Sequence, residues 1–499
     1  MTIETKGDTG LLFRFMRQPL SIRVAWASSV ATFASVLIIL IQVIRTGTDP
    51  NNTSAEAFVP SALTAFAVFI AVFGASMLVR AAKINVSRGM AWLIGLVSFS
   101  FAVVPWILVS SGHEKIGALL YRGLRIPQGI ERFWDMALVL RSVDCDALGF
   151  NVFIDNNGCI PDAAIYGPGM LWLHYLPFQI FSFDHVLVLG ILAMAISSLS
   201  LVWLAKQSSG LGQIVLLIAA MGAPWLLLLE RGNIDAALLW IAVGGVFLVR
   251  RYPQLWAWSL LALAIWVAGT WKYYPFAMGL MLIPLFKIRR GWIVIAGWTI
   301  ATLIYVISTW GNFKFSMQSN TNMIEIGDYV VLGRVPVVAR MFGSEFPSNG
   351  LQLGDFLVVL LAMAALAWGV SIGMSRREQQ KHVSMLAAAG SAIFLASVLV
   401  GGFGWAYKAT FLLLCIPLFG WLGSQLERTA VAAGFISLGL VAVSSIVVWN
   451  TLLASLAGIV AASFGLGLSL CFLLKPVLKF KLKRTWRRQT GTAVPVHGA

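Results

Sequence analysis

HVLVLGILAMAISSLSLVWLA, residues 185–205, contains no Asp, Glu, Lys or Arg. An α-helix needs about 20 predominantly apolar residues to cross the hydrocarbon core of a bilayer, and this run meets that requirement. Comparable runs recur along the 499 residues, of which 59% are hydrophobic and 11% are charged. Soluble domains carry roughly 25% charged residues. The sequence therefore predicts an all-α polytopic membrane protein.

The apolar runs predict about 13–14 transmembrane segments. The predicted segments are 23–44, 57–79, 90–111, 185–205, 212–229, 234–249, 254–271, 274–286, 291–310, 354–374, 383–403, 409–425, 429–449 and 453–474. Segment 274–286 is too short to cross the bilayer alone as an α-helix. The pair 254–286 is therefore predicted to be a broken or re-entrant element.

The predicted organisation is a cytoplasmic N-terminus over 1–22, a transmembrane domain over 23–474 with outer loops 112–184 and 311–353, and a basic cytoplasmic tail over 475–499. In this topology the cytoplasmic pieces hold 23 of the 36 Lys and Arg residues, with Arg23 as the first residue of the first segment, but only 4 of the 20 acidic residues. The positive-inside rule expects such an asymmetry. It predicts a multi-pass protein of the cell (inner) membrane with both termini cytoplasmic. It also accounts for the net charge of +16 without a nucleic-acid partner.

The outer loop 112–184 contains a predicted amphipathic interfacial helix. Residues at helical spacing form one stripe of it, namely Ile130, Phe133, Trp134, Ala137, Leu138 and Arg141. A helix of this kind lies along the bilayer surface with its apolar face in the lipid. Asp135 lies off the stripe, so its carboxylate is expected to face a cavity or solvent.

Cys145 and Cys159 lie in the same outer loop. In an oxidising compartment a disulfide between them would close a loop of about 15 residues and stabilise the fold by ~3 kcal/mol. Two free thiols are the alternative, and the disulfide is favoured. The scattered histidines and the absence of closely spaced cysteine pairs predict neither a metal site nor a cofactor.

Three short polar segments lie at the predicted outer boundary of the spans. They are ERGNID at 230–235, the Lys-Tyr pair at 272–273 and the Tyr-Lys pair at 407–408. Polar side chains at this boundary are costly unless they are paired or bind a ligand. The alternatives are helix capping by Asn233, a favourable dipole interaction of Asp235, and interfacial anchoring by Lys272.

With these segments the chain resembles the GT-C membrane glycosyltransferases, and most closely glycosyltransferase family 87, the polyprenol-phosphate-mannose-dependent mannosyltransferases and their relatives. The matching pieces in chain order are Phe133-Trp134-Asp135, Cys145 with Cys159-Ile160-Pro161, Tyr166-Gly167-Pro168 with Trp172-Leu173, the Glu-Arg-Gly-Asn-Ile-Asp segment, Lys272-Tyr273-Tyr274-Pro275 and Tyr407-Lys408. They cover about 130–420. The resemblance implies a GT-C-like bundle, Asp135 as the catalytic general base, and a polyprenyl-phosphate sugar as donor.

The function expected is transfer of a hexose, with mannose as the first expectation, from the polyprenyl-phosphate donor to a lipid or envelope glycan acceptor at the extracytoplasmic face. Its expected partners are that donor, a glycan or glycolipid acceptor, and membrane lipids. The candidate residues are Arg231, Lys272 and Lys408 for the donor phosphate, and Glu230, Asn233, Asp235, Tyr273 and Tyr407 for orienting the substrate.

Two other functions compete with this one. One is a secondary transporter or flippase for a lipid-linked or anionic substrate, and the other is a catalytically inactive relative that assists envelope polysaccharide assembly. Transporters place their charged residues near the middle of the membrane. Here the interiors of the predicted spans are nearly free of charge, which favours the enzyme over the transporter.

Overall fold

The computed structural model describes residues 88–113, 133–153, 159–160, 166–208, 210–312, 353–375, 381–399, 406–425 and 451–490. The predicted segments 23–44, 57–79 and 429–449, and most of the outer loop 311–353, lie outside these ranges, as do the N-terminus 1–22 and residues 491–499. Within the described ranges the secondary structure is α-helix and 3-10 helix, without a β-strand.

The α-helices are α1 (Arg88–Ser110), α2 (Trp134–Ala147), α3 (Val186–Gln207), α4 (Gly210–Ala220), α5 (Ala223–Glu230), α6 (Asp235–Arg251), α7 (Leu255–Trp271), α8 (Gly291–Ser308), α9 (Leu353–Ser375), α10 (Lys381–Leu399), α11 (Ile416–Gln425) and α12 (Thr451–Thr490). The 3-10 helices are Pro168–Tyr175, Pro177–Gln179, Phe183–His185, Tyr274–Lys287 and Ala406–Cys415. The chain is thus an all-α protein in the part that the structure describes.

Four of these helical stretches are long and apolar enough to cross a membrane unaided. They are Gly89–Val109, Phe183–Gln207, Gly291–Ser308 and Gly458–Val477. The bent pair α5 and α6 would be a fifth span, and Leu255–Trp271, Tyr274–Lys287, Val359–Ser375 and Tyr407–Leu422 are shorter apolar helices. Several helices that could span a bilayer make this a multi-pass membrane protein.

The predicted segment 212–229 is not one continuous helix. Gly222 has extended backbone angles and separates α4 from α5, and Pro224 lies in the first turn of α5. Proline lacks the N–H that a helix interior requires and tolerates only the first turn, so α4 has to end before it. A second break follows at once, because α5 and α6 meet at an angle of 106°. This sharp corner holds residues 231–234.

The element Tyr274–Lys287 has a helix type that the sequence does not predict. Its 14 residues form a 3-10 helix rather than an α-helix. A 3-10 helix rises about 2.0 Å per residue, so 14 residues span roughly 28 Å, close to the thickness of the hydrocarbon core. By length and composition it remains one of the shorter apolar helices, and the broken or re-entrant element over 254–286 stays a prediction. It packs beside α7 and α10.

Opposite ends of the bundle carry different charges. α6 begins at Asp235, beside Lys272, and ends with Arg250 and Arg251. At that far end, the charges of Arg250 and Lys381 both act on His382, and Lys287 lies close enough to repel Lys381. Four cations predicted to be cytoplasmic, namely Arg250, Arg251, Lys287 and Lys381, thus lie at one end of these helices, and Asp235 and Lys272 lie at the other.

Buried serine hydroxyl groups form hydrogen bonds between the helices next to the polar segments. Trp225 donates its indole N–H to Ser98 Oγ at 2.7 Å, and Ser98 Oγ lies 3.0 Å from Ser198 Oγ. Trp240 donates in the same way to Ser197 Oγ at 3.0 Å. Such bonds hold apolar helices in register, because an unsatisfied polar group in the bundle would be costly. They tie α5 to α1 and α6 to α3.

Candidate functional site

The first turn of α2 is held in place by the distant corner between α5 and α6. The Asp135 backbone N–H donates to the Arg231 carbonyl oxygen at 3.1 Å. Phe133 precedes the helix with a left-handed φ of 52°, and its buried ring packs against Gly190 and Gly232. A Cβ at Gly190 would come within 2.4 Å of that ring, and Gly232 itself has a φ of 57°. The two glycines therefore allow α2 to dock on the corner.

α2 is more deeply packed than the predicted interfacial helix. Its buried residues include Asp135, Ala137, Leu140 and Cys145, which lie on different sides of the helix rather than along a single stripe. The helix packs against α3 and the 3-10 helices that return the chain to the bundle. Ile130 lies outside the described residues. Asp135 is only 9% exposed, so its carboxylate faces the protein interior rather than solvent.

The described residues that follow α2 in the predicted outer loop are joined to α2 and α7. Cys145 and Cys159 form a disulfide with a Cα–Cα distance of 6.1 Å. Further on, the Gly167 N–H donates to the Trp271 carbonyl oxygen at 2.6 Å, and a Cβ at Gly167 would lie 2.3 Å from the Thr270 carbonyl oxygen. Only glycine allows this approach. It places Tyr166 at the end of α7.

Both carboxylate oxygens of Asp135 accept hydrogen bonds. Arg231 Nη1 donates to Oδ1 at 3.3 Å, and Asn233 Nδ2 donates to Oδ2. Burial opposes the charge on Arg231, but Asp135 and Glu230 favour it, and the net effect is a raised pKa of the guanidinium. Arg231 therefore stays charged beside the Asp135 carboxylate.

A second charge pair lies beside the first. Lys272 Nζ donates to Asp235 Oδ1 at 2.7 Å and to Asn233 Oδ1 at 3.0 Å. Tyr274 donates its hydroxyl to the same Asp235 oxygen. Asp235 is fully buried, and the other oxygen, Oδ2, has no hydrogen-bond partner among the described residues. Asn233 therefore forms hydrogen bonds with a member of each pair, Asp135 in the first and Lys272 in the second.

Aromatic rings surround the cations of this site. Lys272 Nζ lies 4.9 Å from the centre of the Tyr166 ring, and Lys408 Nζ lies 4.7 Å from the centre of the Tyr274 ring. Lys408 and Tyr407 are both nearly buried, and Lys408 is close enough to Asp235 for their charges to interact. The ring quadrupoles favour a desolvated cation. Burial, and then the charges of Asp135 and Asp235, raise the pKa of the Tyr166 hydroxyl well above its usual range.

Most candidate residues from distant parts of the sequence converge here. Those that meet are Asp135, Arg231, Asn233, Asp235, Lys272, Tyr407 and Lys408. Glu230 is half-buried beside Arg231 and interacts with its charge. Tyr273 is directed elsewhere, since its hydroxyl donates to the Thr309 carbonyl oxygen at 3.3 Å.

Two tyrosines of the site were not among the predicted site residues. Tyr166 and Tyr274 both lie in short motifs noted in the sequence, but nothing in the spacing distinguishes Tyr274 from Tyr273. The 3-10 helix that begins at Tyr274 decides which of the two rings faces Asp235. The adjoining Gly167-Pro168 could have indicated Tyr166, because a glycine at this place is typical of two backbone segments that approach closely.

An apolar groove begins at this polar cluster and runs along α6. It encloses about 650 Å³ between α2, α3, α6 and α7. The end of the groove that adjoins the cluster at Asn233, called its mouth below, is lined by Met136, Gly232, Asn233 and Trp271. The rest of the groove is lined by Ala237, Ile241, Gly244, Gly245 and Leu248 of α6 together with Leu189, Leu192, Ile196, Leu260 and Ala264. From Ala237 to Leu248 the groove extends roughly 16 Å, about half the thickness of the hydrocarbon core.

The site therefore combines carboxylates, cations and an apolar channel. Asp135 has the chemistry of a general base, and three cations in a nearly buried setting suit an anion such as a phosphate. Within the described ranges no group of three or more His, Cys, Asp or Glu residues is arranged to hold a metal ion. Compared with protein-family models, with curated proteins and with solved structures, this chain matches none of them.

Proposed function

We propose that this protein is a membrane glycosyltransferase that moves a hexose, with mannose as the first choice, from a polyprenyl-phosphate donor to a glycan or glycolipid acceptor. One observation carries the proposal: the buried Asp135 carboxylate accepts hydrogen bonds from Arg231 and Asn233, and Asn233 also binds Lys272 and lines an apolar groove. The resemblance of the ordered motifs to the GT-C enzymes supports it. The proposed location is the extracytoplasmic face of the cell membrane, with both termini cytoplasmic.

The proposed donor has an apolar chain and a phosphate, which would match the groove and the cations of the site, respectively. A polyprenyl chain is an apolar ligand that can occupy a groove running from the membrane boundary toward the bilayer centre. Its phosphate would then lie at the mouth, near Lys272, Arg231 and Lys408. A point charge such as a lysine ammonium binds phosphate well, and arginine adds directed N–H donors. Lipid chain and phosphate would be bound by neighbouring parts of one site.

The proposed reaction needs one proton transfer and one displacement. The acceptor hydroxyl gives its proton to the Asp135 carboxylate while its oxygen forms a bond to the anomeric carbon. The bond from that carbon to the phosphate oxygen breaks, and its electron pair leaves with the polyprenyl phosphate. The phosphate gains a negative charge in this step, so the cations stabilise the leaving group more strongly as the reaction proceeds.

Transport of a lipid-linked or anionic substrate is the second candidate function. A carrier needs a site that is alternately accessible from both faces, and such sites lie near the midplane. In this chain the acidic residues that bind the cations lie at the starts of α2 and α6. A groove that ends about halfway across the bilayer suits a bound lipid chain better than a passage.

The deciding experiment measures sugar transfer by the purified full chain in lipid nanodiscs, with a radiolabelled polyprenyl-phosphate mannose as donor and an envelope glycolipid extract as acceptor. Asp135→Asn keeps the shape of the side chain but removes the base, and should lower the rate by about 10²- to 10⁴-fold. Asp146→Asn is the matched control. It lies on the same helix, but it pairs with His174 at 3.1 Å, outside the cluster.

Full activity of a well-folded Asp135→Asn variant would refute the role of Asp135. Failure of the wild-type protein to transfer sugar from polyprenyl-phosphate hexoses of several kinds would refute the function itself. Facilitated movement of the donor between leaflets, without any transfer, would instead support the transport function.

A further inference from the structure

Asn233 has a central position in the site. It is 2% exposed, follows the left-handed Gly232 and lies two residues before Asp235, the first residue of α6. Its Oδ1 accepts from the Asp235 backbone N–H at 2.9 Å and from Lys272 Nζ at 3.0 Å. Its Nδ2 donates to Asp135 Oδ2. Every polar atom of the side chain is thus used within the site.

The orientation of this amide is decided by its neighbours. Carbonyl and amino groups of an asparagine look alike by shape, and the hydrogen bonds distinguish them. Both the Asp235 N–H and the Lys272 ammonium can only donate, so Oδ1 has to face them. The Nδ2 group is therefore left to face Asp135, whose ionised carboxylate can only accept.

We propose that Asn233 is the positioning residue that joins the base to the phosphate-binding cation, so that Asp135 and Lys272 keep one fixed geometry. The catalytic meaning of this inference rests on the proposed function. Its structural content does not, because the bridge exists whether or not sugar is transferred. Asn233 would not touch the reacting atoms. It would act through Asp135, by holding one of its oxygens so that the carboxylate cannot turn away from the acceptor.

An aspartate is the most informative replacement at this position. Asn233→Asp retains the acceptor for the Asp235 N–H and for Lys272. It places a second carboxylate against Asp135, however, where the wild-type protein has an N–H donor. Two carboxylates at this distance cannot both stay ionised at low cost, so they share a proton near neutral pH. The base would then be available only at higher pH.

The experiment compares three variants of the full chain in nanodiscs by thermal unfolding and by the pH dependence of kcat/KM. Asn233→Asp should unfold at a lower temperature, and the acidic limb of its pH profile should move up by roughly one pH unit or more. The exchange variant Asp135→Asn with Asn233→Asp restores a donor opposite an acceptor. It should recover the unfolding temperature but remain inactive, because the carboxylate is then at the wrong position.

Asn151→Asp is the matched control. Asn151 Oδ1 also accepts from the backbone N–H two residues ahead, that of Phe153 at 3.2 Å, but Asn151 is exposed and far from the cluster. This variant should match the wild type in both measurements.

Three outcomes would overturn the inference. In the first, Asn233→Asp is as stable as the wild type. In the second, the exchange variant is no more stable than Asn233→Asp alone. In the third, the acidic limb of Asn233→Asp stays where the wild type has it. If the wild-type protein shows no sugar transfer at all, the proposed function fails, while the two stability comparisons still decide whether Asn233 forms the bridge.

Discussion

Arg231 donates a hydrogen bond to Asp135 at 3.3 Å although 96 residues separate them in the sequence. The same Arg231 accepts the backbone N–H of Asp135 through its carbonyl oxygen. Side chain and main chain of one residue thus hold the carboxylate and the start of its helix together. The corner between α5 and α6 serves as the platform on which the outer loop places its aspartate.

The ion pair between Lys272 and Asp235 should contribute strongly to stability. Asp235 is completely buried and Lys272 is 13% exposed, so solvent screens the pair little. Removing one partner of a buried pair leaves an uncompensated charge and costs about 3–5 kcal/mol. Lys272→Met should therefore lower the unfolding temperature markedly in nanodiscs.

Adding Asp235→Asn to Lys272→Met should recover part of the lost unfolding temperature, because it removes the uncompensated charge of Asp235. Lys206→Met is the control, since Lys206 lies over the Trp92 ring at 4.8 Å and away from the site. A Lys272→Met variant as stable as this control would contradict the importance of the pair.

Filling the groove should block the lipid donor without disturbing the fold. A Cβ added at Gly244 meets open space, and Gly244 lines the groove. Gly244→Phe should therefore project into the channel and raise the KM for a long-chain donor at least tenfold, while a donor with a short alkyl chain is affected less.

Gly297→Phe provides the comparison, because Gly297 also has open space around its Cβ position but lies on α8, outside the groove. Equal kinetics for the two phenylalanine variants would show that the groove does not hold the donor chain.

The Tyr166 ring, rather than its hydroxyl, should matter for activity. Its ring lies beside Lys272, and burial keeps the pKa of the hydroxyl above its usual range, so the group stays neutral between about pH 6 and 9. Tyr166→Phe should leave the pH profile unchanged, whereas Tyr166→Ala should weaken donor binding. A shift of the alkaline limb in Tyr166→Phe would show that the hydroxyl titrates during the reaction.

Loss of the disulfide should destabilise the outer loop. Replacing Cys145 and Cys159 together by serine should cost about 3 kcal/mol, since the bond closes a short loop against the end of α2. The expected readout is a lower unfolding temperature that reducing agent reproduces in the wild type. Cys471→Ser, at a free thiol, should have little effect.

The orientation of the chain can be tested by labelling single cysteines with an impermeant maleimide, in a Cys471→Ser background. Tyr175→Cys, at a residue 77% exposed at the polar end, should react in intact cells. Arg289→Cys, at an exposed residue of the basic end, should react only after permeabilisation. The reverse pattern would place the site on the cytoplasmic side.

The sequence by itself determined the all-helical membrane character, because hydrophobic length and the scarcity of charge are local properties of the chain. It also indicated which short segments hold the polar groups of the site, since the positions of charged residues along the chain can be read without tertiary information. It did not determine the break at Gly222 or the 3-10 geometry of Tyr274–Lys287, because periodicity alone does not report helix type.

Only the tertiary structure decided the arrangement of the site. The packing of Phe133 against Gly190 and Gly232 brings Asp135 to Arg231, and no property of either segment alone reveals that contact. The choice of Tyr274 over Tyr273, and the bridging role of Asn233, depend on directions of side chains set by neighbouring helices. Contacts across 96 residues are formed by burial and docking, and these are properties of the folded chain rather than of any local pattern.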